Sequence, residues 1–286
     1  MSESQLEARL RVALVQLTSS NQTSENEGLI LTALEAAENA FAGAGAELVV
    51  FPENVWFMRL GDDEKIPHFD LNSNFARELG AWSKRTGAAI VLGSVPILAS
   101  VVAPRPQSAQ VAIEPGVPPR VIYTKIHLFD VDVAGSRPVR ESDHLASGGP
   151  PFIWAWKTWK FGCAICYDVR FAELFSVYAR AEVDALFLPS AFLVPTGRAH
   201  WEILVRARAI ESQCYMLAPA QSGEHGAGQR KTYGRSLAVD PWGRVLSAGA
   251  AEKTGMEILE VELVRDEVRR VRSQIPMRSH RRLGVN

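Results

Sequence analysis

The sequence predicts an α/β fold in a single domain, and three observations carry that expectation. The strand-like run Leu10–Leu17, the helical pattern from Asn26 to Gly43 and the strand-like run Glu47–Phe51 form a β-α-β unit. Short apolar runs recur at 87–93, 161–165, 184–190 and 215–219, separated by helical patterns or by turns rich in Gly and Pro. The 286 residues are 47% hydrophobic, which is enough chain for one large core, since single cores keep growing to about 250–300 residues.

Residues 1–9 are polar and expected to be flexible. In the first helix Leu29, Ala33, Leu34 and Ala37 share a face, and Gly43-Ala44-Gly45 stops it. The strand after it ends at Pro52-Glu53-Asn54. That puts Glu53 at the C-terminal end of a strand, where open α/β sheets place ligands; the plain alternative is a solvated loop glutamate. Asn72–Arg85 is a second helix with Phe75, Leu79 and Trp82 as its apolar stripe. The prolines between Val95 and Pro119 exclude a long helix and fit edge strands joined by turns.

Val121–Asp130 alternates, which puts Lys125 on the face of Tyr123 and His127. An unpaired buried lysine is costly, so Lys125 either lies on an exposed edge or pairs with carboxylates. Asp132–Gly149 is a long loop holding Glu141, a length that is uncommon unless functional or disordered. Phe171–Arg180 and His200–Cys214 are helices, the second with arginines and glutamates suited to ion pairs or an interface. Gln221–Gly228 is a Gly-rich turn, Ser236–Ser247 a hairpin turning at Asp240–Gly243, and Glu257–Leu263 the last strand. With no repeat or linker, residues 10–264 are expected to form the one domain and 265–286 an Arg-rich tail.

A formal net charge of -1 gives no electrostatic case for nucleic acid, and the tail arginines fit a solvated or subunit-facing surface. Three cysteines argue against a secreted disulfide scaffold. The start lacks a signal-peptide pattern, and no apolar run reaches the roughly 18 residues of a membrane span. A soluble cytoplasmic protein without nucleic-acid or membrane partners is the expectation.

The chemistry centres on Phe161–Phe171. An apolar strand delivers Cys166 to the start of a helical pattern, where free backbone N–H groups favour a thiolate and a developing oxyanion. The bland alternative is a buried, inert cysteine. Cys163-x-x-Cys166 also has redox spacing, but Cys163 lies inside the apolar run and not at a helix start. Cys214 has no metal-ligand neighbours at motif spacing, which argues against a metal site. A thiol attacks a carbonyl or nitrile carbon once a base removes its proton, and the intermediate needs positive charge or N–H donors beside its oxygen. Glu53, Lys125, Cys166 and the N–H of Tyr167 could together supply this.

Four segments, Phe51–Asn54, Tyr123–Asp130, Gly162–Phe171 and Gly197–Glu211, resemble the nitrilase, or carbon–nitrogen hydrolase, superfamily over roughly residues 10 to 282. The resemblance implies an α-β-β-α sandwich, Cys166 as nucleophile, Glu53 as general base then acid, and Lys125 as oxyanion stabiliser. It implies that Glu141 orients Lys125 or the substrate. It also implies a homodimer or larger homo-oligomer, with the tail at an interface, and a reaction that needs neither cofactor nor metal. The Nit branch is the most similar, which implies an amidase acting on a small carboxylate-bearing amide and releasing acid and ammonia through a thioester. A substrate like deaminated glutathione is expected, with ω-amidase, N-carbamoyl amino acid hydrolase, nitrilase or an inactive scaffold as alternatives. Arg170, Tyr167 and Thr196 are the candidates for holding the substrate carboxylate, with a structural salt bridge as the alternative role for Arg170. Ala172 stands where relatives usually have proline, and 95–119 departs from the family pattern, so substrate preference is expected to be non-standard.

Overall fold

The computed structural model describes residues 8–100, 103–132 and 138–283; the first seven residues of the expected flexible N-terminus, parts of the 95–119 and 132–149 segments and the end of the tail lie outside these. The first half of the chain gives β1 (Arg9–Gln16), α1 (Thr23–Glu38), β2 (Leu48–Val50), α2 (Asn74–Thr86), β3 (Ala89–Ile97), β4 (Gln107–Ile113) and β5 (Arg120–Thr124). A small ribbon follows, β6 (Asp130–Val131) with β7 (Val139–Arg140). The second half gives β8 (Ile153–Trp156), β9 (Trp159–Cys163), α3 (Ala172–Arg180), β10 (Ala185–Phe187), α4 (Val194–Ser212) and β11 (Tyr215–Ala218). It continues with a ribbon of β12 (Ser222–His225) and β13 (Arg230–Tyr233), then β14 (Leu237–Val239), β15 (Val245–Ala248), β16 (Glu257–Val264), α5 (Arg265–Gln274) and α6 (Met277–His280).

Two six-stranded sheets form the middle of an α-β-β-α sandwich. One runs β16-β1-β2-β3-β4-β5 and the other β15-β14-β11-β10-β9-β8. Each has a parallel centre, β1-β2-β3 and β9-β10-β11, with antiparallel strands outside. Alternation along the strands decides which layer each side chain joins. Ala13, Val15 and Val49 pack with Ile30 and Leu34 of α1 and Leu79 of α2. Val12, Leu14, Leu48 and Val50 belong to the larger cluster that includes Phe161, Cys163 and Phe187 of the other sheet. There Phe161 stacks on Phe187 at 4.7 Å, and each ring adds about 1.5–3 kcal/mol by burial.

Local signals set the helix ends. Ser73 caps α2 by accepting from the Ala76 N–H at 3.1 Å, and Gly87, with a φ of 75°, ends it in the left-handed conformation. Helix α4 begins at Val194, ahead of its expected start at His200, with Pro195 in its first turn, where a missing N–H costs nothing.

Other expectations change more. β4 is not an edge strand, since it lies between β3 and β5; its seven residues between the prolines all make sheet, with Ser108 to Ile113 buried. The alternating run 121–130 is strand to Thr124 and again at Asp130, which opens β6, and Lys125 lies just past the end of β5. The Gly-rich turn at 221–228 is half strand, with β12 and β13 forming a hairpin. The Arg-rich stretch expected as a tail folds onto its own chain. Val268 and Val271 are buried, Arg272 Nη2 donates to the Val183 carbonyl at 2.6 Å, and Arg281 Nη1 donates to Ser176 Oγ at 2.9 Å.

Candidate active site

Three strand ends and one loop converge between the sheets. Glu53 follows β2 and is 2% exposed. Its carbonyl accepts from Gln221 Nε2 at 2.9 Å, and the next N–H, that of Asn54, donates to Ser94 Oγ at 2.9 Å. Strand β3 passes so close that a Cβ on Gly93 would lie 1.9 Å from the Phe51 carbonyl oxygen, so only glycine fits there.

Lys125 follows β5. Its N–H donates to the Ser108 carbonyl at 2.8 Å and its carbonyl accepts from the Gly148 N–H at 2.7 Å. A Cβ on Gly148 would lie 2.2 Å from the Thr124 carbonyl oxygen, so the returning loop also needs glycine. The lysine is 1% exposed, and Nζ donates to Glu53 Oε1 at 2.8 Å and to Glu141 Oε1 and Oε2 at 3.0 and 2.8 Å. The Phe129 N–H donates to Glu141 Oε2 at 2.8 Å, which fixes that carboxylate from behind. Of the two alternatives open from the sequence, the lysine is therefore buried and paired. Burial, the largest effect, disfavours its charge, but the Glu141 and Glu53 carboxylates outweigh burial and hold its pKa well above the usual lysine value.

Cys166 leaves β9 through a sharp turn. Its N–H donates to the Pro189 carbonyl at 2.9 Å and its φ is 47°, a left-handed value costing a non-glycine residue about 1–3 kcal/mol. The turn Cys166–Arg170 is a short 3₁₀ helix, and the Tyr167 N–H in its first turn has no hydrogen-bond acceptor among the described residues. Burial pushes the Cys166 thiol well above its ordinary value and the Glu53 carboxylate adds to this, while Lys125 and the Ala191 N–H pull it back. The Glu53 carboxylate is near enough to the thiol to disfavour its ionisation. At rest the sulfur is thus protonated, beside a carboxylate able to accept the proton and an ammonium able to stabilise charge. Cys163 and Cys214 are buried, and burial raises both thiols, Cys214 to about 12.

Three residues that hold this arrangement escaped the sequence reading. Asp168 is fully buried; it accepts from the Ile165 N–H at 2.8 Å and from the Tyr123 hydroxyl at 2.8 Å. Its position three residues into a helical turn, where an aspartate folds back on the preceding N–H, was the available signal. Gln110 Nε2 reaches across to the Ala164 carbonyl at 2.8 Å, and Gln221 supports Glu53. Neither glutamine stands in a local pattern that announces a cross-sheet bond.

A cleft of about 870 Å³ opens beside the site and is lined in part by Asn54, Ser94, Ser108 and Glu141. Its cations are Arg59, Arg140, Arg230 and Lys231. Arg170, Tyr167 and Thr196, the expected substrate holders, are not in its lining, and neither are Glu53, Lys125 and Cys166, so the lining does not separate them from the site. Arg170 Nη1 lies 3.3 Å from His200 Nδ1, with its guanidinium over Phe192 and Tyr167, and the Thr196 hydroxyl donates to the Leu193 carbonyl at 3.2 Å. Arg170 stands at the end of the turn that carries the nucleophile and Thr196 in the first turn of α4.

A carbon–nitrogen hydrolase profile matches residues 11–273. A Synechocystis protein named deaminated glutathione amidase is 36% identical over 272 residues, covering 94% of this chain and 97% of that one. The Caenorhabditis elegans NitFhit structure superposes with a TM-score of 0.81 at 32% identity, covering 96% of this chain, which spans 65% of that fusion protein. The structure of Saccharomyces cerevisiae Nit3, a nitrilase-superfamily protein, superposes with a TM-score of 0.80 at 28% identity, covering 96% of this chain and 97% of that one. By its profile, its full-length relatives and its sandwich, the chain belongs to the carbon–nitrogen hydrolase family, in the Nit branch of the nitrilase superfamily, and is an enzyme with a cysteine nucleophile.

Proposed function

We propose that the chain hydrolyses a linear amide of a small carboxylate-bearing compound, with Cys166 as the nucleophile. The observation that carries this reading is the buried ammonium of Lys125, 2.8 Å from Glu53 Oε1 and 2.8 Å from Glu141 Oε2, beside the buried Cys166 thiol on which both Glu53 and Lys125 act. Glu53 takes the Cys166 proton as the sulfur attacks the carbonyl carbon, and Lys125 with the Tyr167 N–H receives the oxyanion. Glu53 returns the proton to the departing nitrogen, leaving a thioester. It then takes a proton from water as the water attacks, and the acid leaves with restoration of the thiol. Glu141 holds Lys125 in place.

A substrate like deaminated glutathione is favoured over a five-carbon amide because the cleft, about 870 Å³, is near the upper end of the range for small-molecule sites. The similarity to the Synechocystis protein along the whole chain points the same way. Deaminated glutathione has no primary carboxamide, so its amide releases an amine, and the expected ammonia appears only from substrates such as α-ketoglutaramate. The test is product release from deaminated glutathione, α-ketoglutaramate, an N-carbamoyl amino acid and a nitrile, with Cys166→Ala alongside. Preference for deaminated glutathione, abolished by the substitution, is expected. Preference for α-ketoglutaramate would reassign the enzyme as an ω-amidase, and turnover surviving in Cys166→Ala would refute the nucleophile. We also infer a cytoplasmic homo-oligomer; its assembly is supported by the exposed Ile203 and Ile210 on α4 and Trp242, and light scattering of the purified chain tests it.

A further inference from the structure

We propose that Arg230, on the hairpin β12–β13, is the specificity-determining residue that binds the substrate carboxylate in the cleft. The inference rests on the amidase reading above and adds the group that selects the substrate. Four cations line the cleft, and three are committed to neighbours. Arg59 donates from Nε to the Glu64 carbonyl at 3.3 Å and pairs with Asp62 at 3.6 Å, so it pins its own loop. Lys231 pairs with Glu224 across the same hairpin. Arg140 donates from Nη1 to the carbonyls of Val131 and Val139 at 2.8 and 2.9 Å, bracing the ribbon β6–β7.

Arg230 differs from these. Among the described residues its side chain makes one hydrogen bond, from Nη1 to the Arg59 carbonyl at 3.3 Å, and no ion pair. Its Nε is buried without a partner among the described residues. A buried guanidinium N–H with no acceptor is destabilising by itself; the fork that a carboxylate in the cleft can match is that of the terminal nitrogens, of which Nη2 makes no hydrogen bond among the described residues. Of the four acidic residues lining the same cleft, Glu141 pairs with Lys125, Glu252 with Arg198 and Asp62 with Arg59, while Asp143 forms no ion pair with Arg230 or any other cation among the described residues. The apolar side chains Phe57, Leu60, Ile66, Val95 and Leu193 line the same cleft and suit an uncharged middle of the substrate. Arg230 is held over the cleft by its hairpin, whose Thr232 bridges to Leu193 and whose Gly226 packs against Leu60.

The experiment compares matched substrates that differ only in one charge. Glutaramate against glutaramide tests a carboxylate on the acyl side, and deaminated glutathione against its C-terminal amide tests one on the leaving side. Arg230→Gln is expected to lower the charged-to-neutral ratio of kcat/KM by about 10- to 100-fold in one pair, the loss of a charge-assisted hydrogen bond. The change should fall in KM more than in kcat, and Arg230→Lys should recover part of it. Lys231→Gln is expected to leave both ratios unaltered. If Arg230→Gln moves neither ratio, or lowers charged and neutral turnover equally, the assignment is overturned. Binding of deaminated glutathione and glutaramate to Cys166→Ala, measured by calorimetry, reads the same subsite without turnover. Binding of one of them weaker by about 10- to 100-fold after adding Arg230→Gln supports the proposal, and unchanged binding of both overturns it. A wild-type chain inactive on every amide would overturn the functional reading alone.

Discussion

The Asp168 carboxylate accepts from the Tyr123 hydroxyl at 2.8 Å, and this contact ties the turn that carries Cys166 to the strand that leads into Lys125. The same carboxylate takes the His127 N–H at 3.1 Å and lies 2.7 Å from His127 Nδ1. The His127 ring stacks on Phe171 at 3.6 Å, closing a loop around the turn. Tyr123 and His127 flank Lys125 in sequence, so one buried aspartate sets the distance between nucleophile and cation while its side chain bonds to neither.

Removing that anchor should therefore cost stability and activity together. Asp168→Ala strips the acceptor from the Tyr123 hydroxyl and the Ile165 N–H, and a loss of about 3–5 kcal/mol is expected, as for breaking a buried charged network. Tyr123→Phe removes one bond and should cost only about 1 kcal/mol. Urea midpoints of the two variants measure the difference. Equal, small shifts would show that Asp168 is not the hub described.

The three cysteines make stability fall at alkaline pH. Burial raises all three thiols in the folded chain, Cys214 to about 12, while an unfolded thiol titrates near about 8.5. Between these values the folded state binds more protons than the unfolded one, so unfolding free energy decreases as pH rises. Below about 8.5 the thiols are neutral in both states and contribute no slope. Each thiol adds a slope of about 1.4 kcal/mol per pH unit, and Cys214→Ala should remove about a third of the combined slope between about pH 9 and 10. Denaturant titrations at several pH values read this directly, and an unaltered slope would contradict it.

How far the sequence reveals this site depends on the range of each interaction. Glu53 and Cys166 stand at the ends of apolar strands, a pattern visible within ten residues. Lys125 could only be reduced to two alternatives, because its partners lie 72 and 16 residues away. The cleft cations are further beyond reach. Arg59, Arg140 and Arg230 come from a loop, a ribbon and a hairpin that meet only after the two sheets stack. Strand β4 was obscured by its flanking prolines, which bound the strand without entering it.

Arg170 offers a test of proximity in sequence against proximity in space. It stands four residues after Cys166, yet its guanidinium lies 5.6 Å from the Phe192 ring centroid and 5.8 Å from that of Tyr167, with Nη1 3.3 Å from His200 Nδ1. Arg170→Lys should leave KM for a carboxylate-bearing amide within about 2-fold, with a stability loss of about 0.5–1 kcal/mol from the weakened cation–π contacts. A tenfold rise in KM would instead return Arg170 to the substrate.

Lys125 is the residue whose removal should separate electrostatics from packing. Lys125→Met keeps most of the side-chain volume but leaves the Glu53 and Glu141 carboxylates buried without their shared cation. A destabilisation of about 3–5 kcal/mol is expected, together with a fall in kcat of at least about 10²–10³ from the lost oxyanion charge. Glu141→Gln removes one of two carboxylates and keeps an oxygen for the Phe129 N–H, so a milder effect should follow, about 10-fold in kcat. The folded pKa of Lys125 is raised, so its contribution is complete below the unfolded value of about 10.4 and is lost only as pH rises through the higher folded value. The lysine's own titration should therefore add no pH dependence to the Lys125→Met deficit between about pH 7 and 9. The cation also pulls the Cys166 thiol down, so its loss must raise that thiol further and slow alkylation of Cys166 at fixed pH. Rates of iodoacetamide labelling in wild type and Lys125→Met measure that coupling without any substrate. Equal rates would mean that Lys125 does not act on the sulfur, and its part in the reaction would then be confined to the carboxylates it bridges.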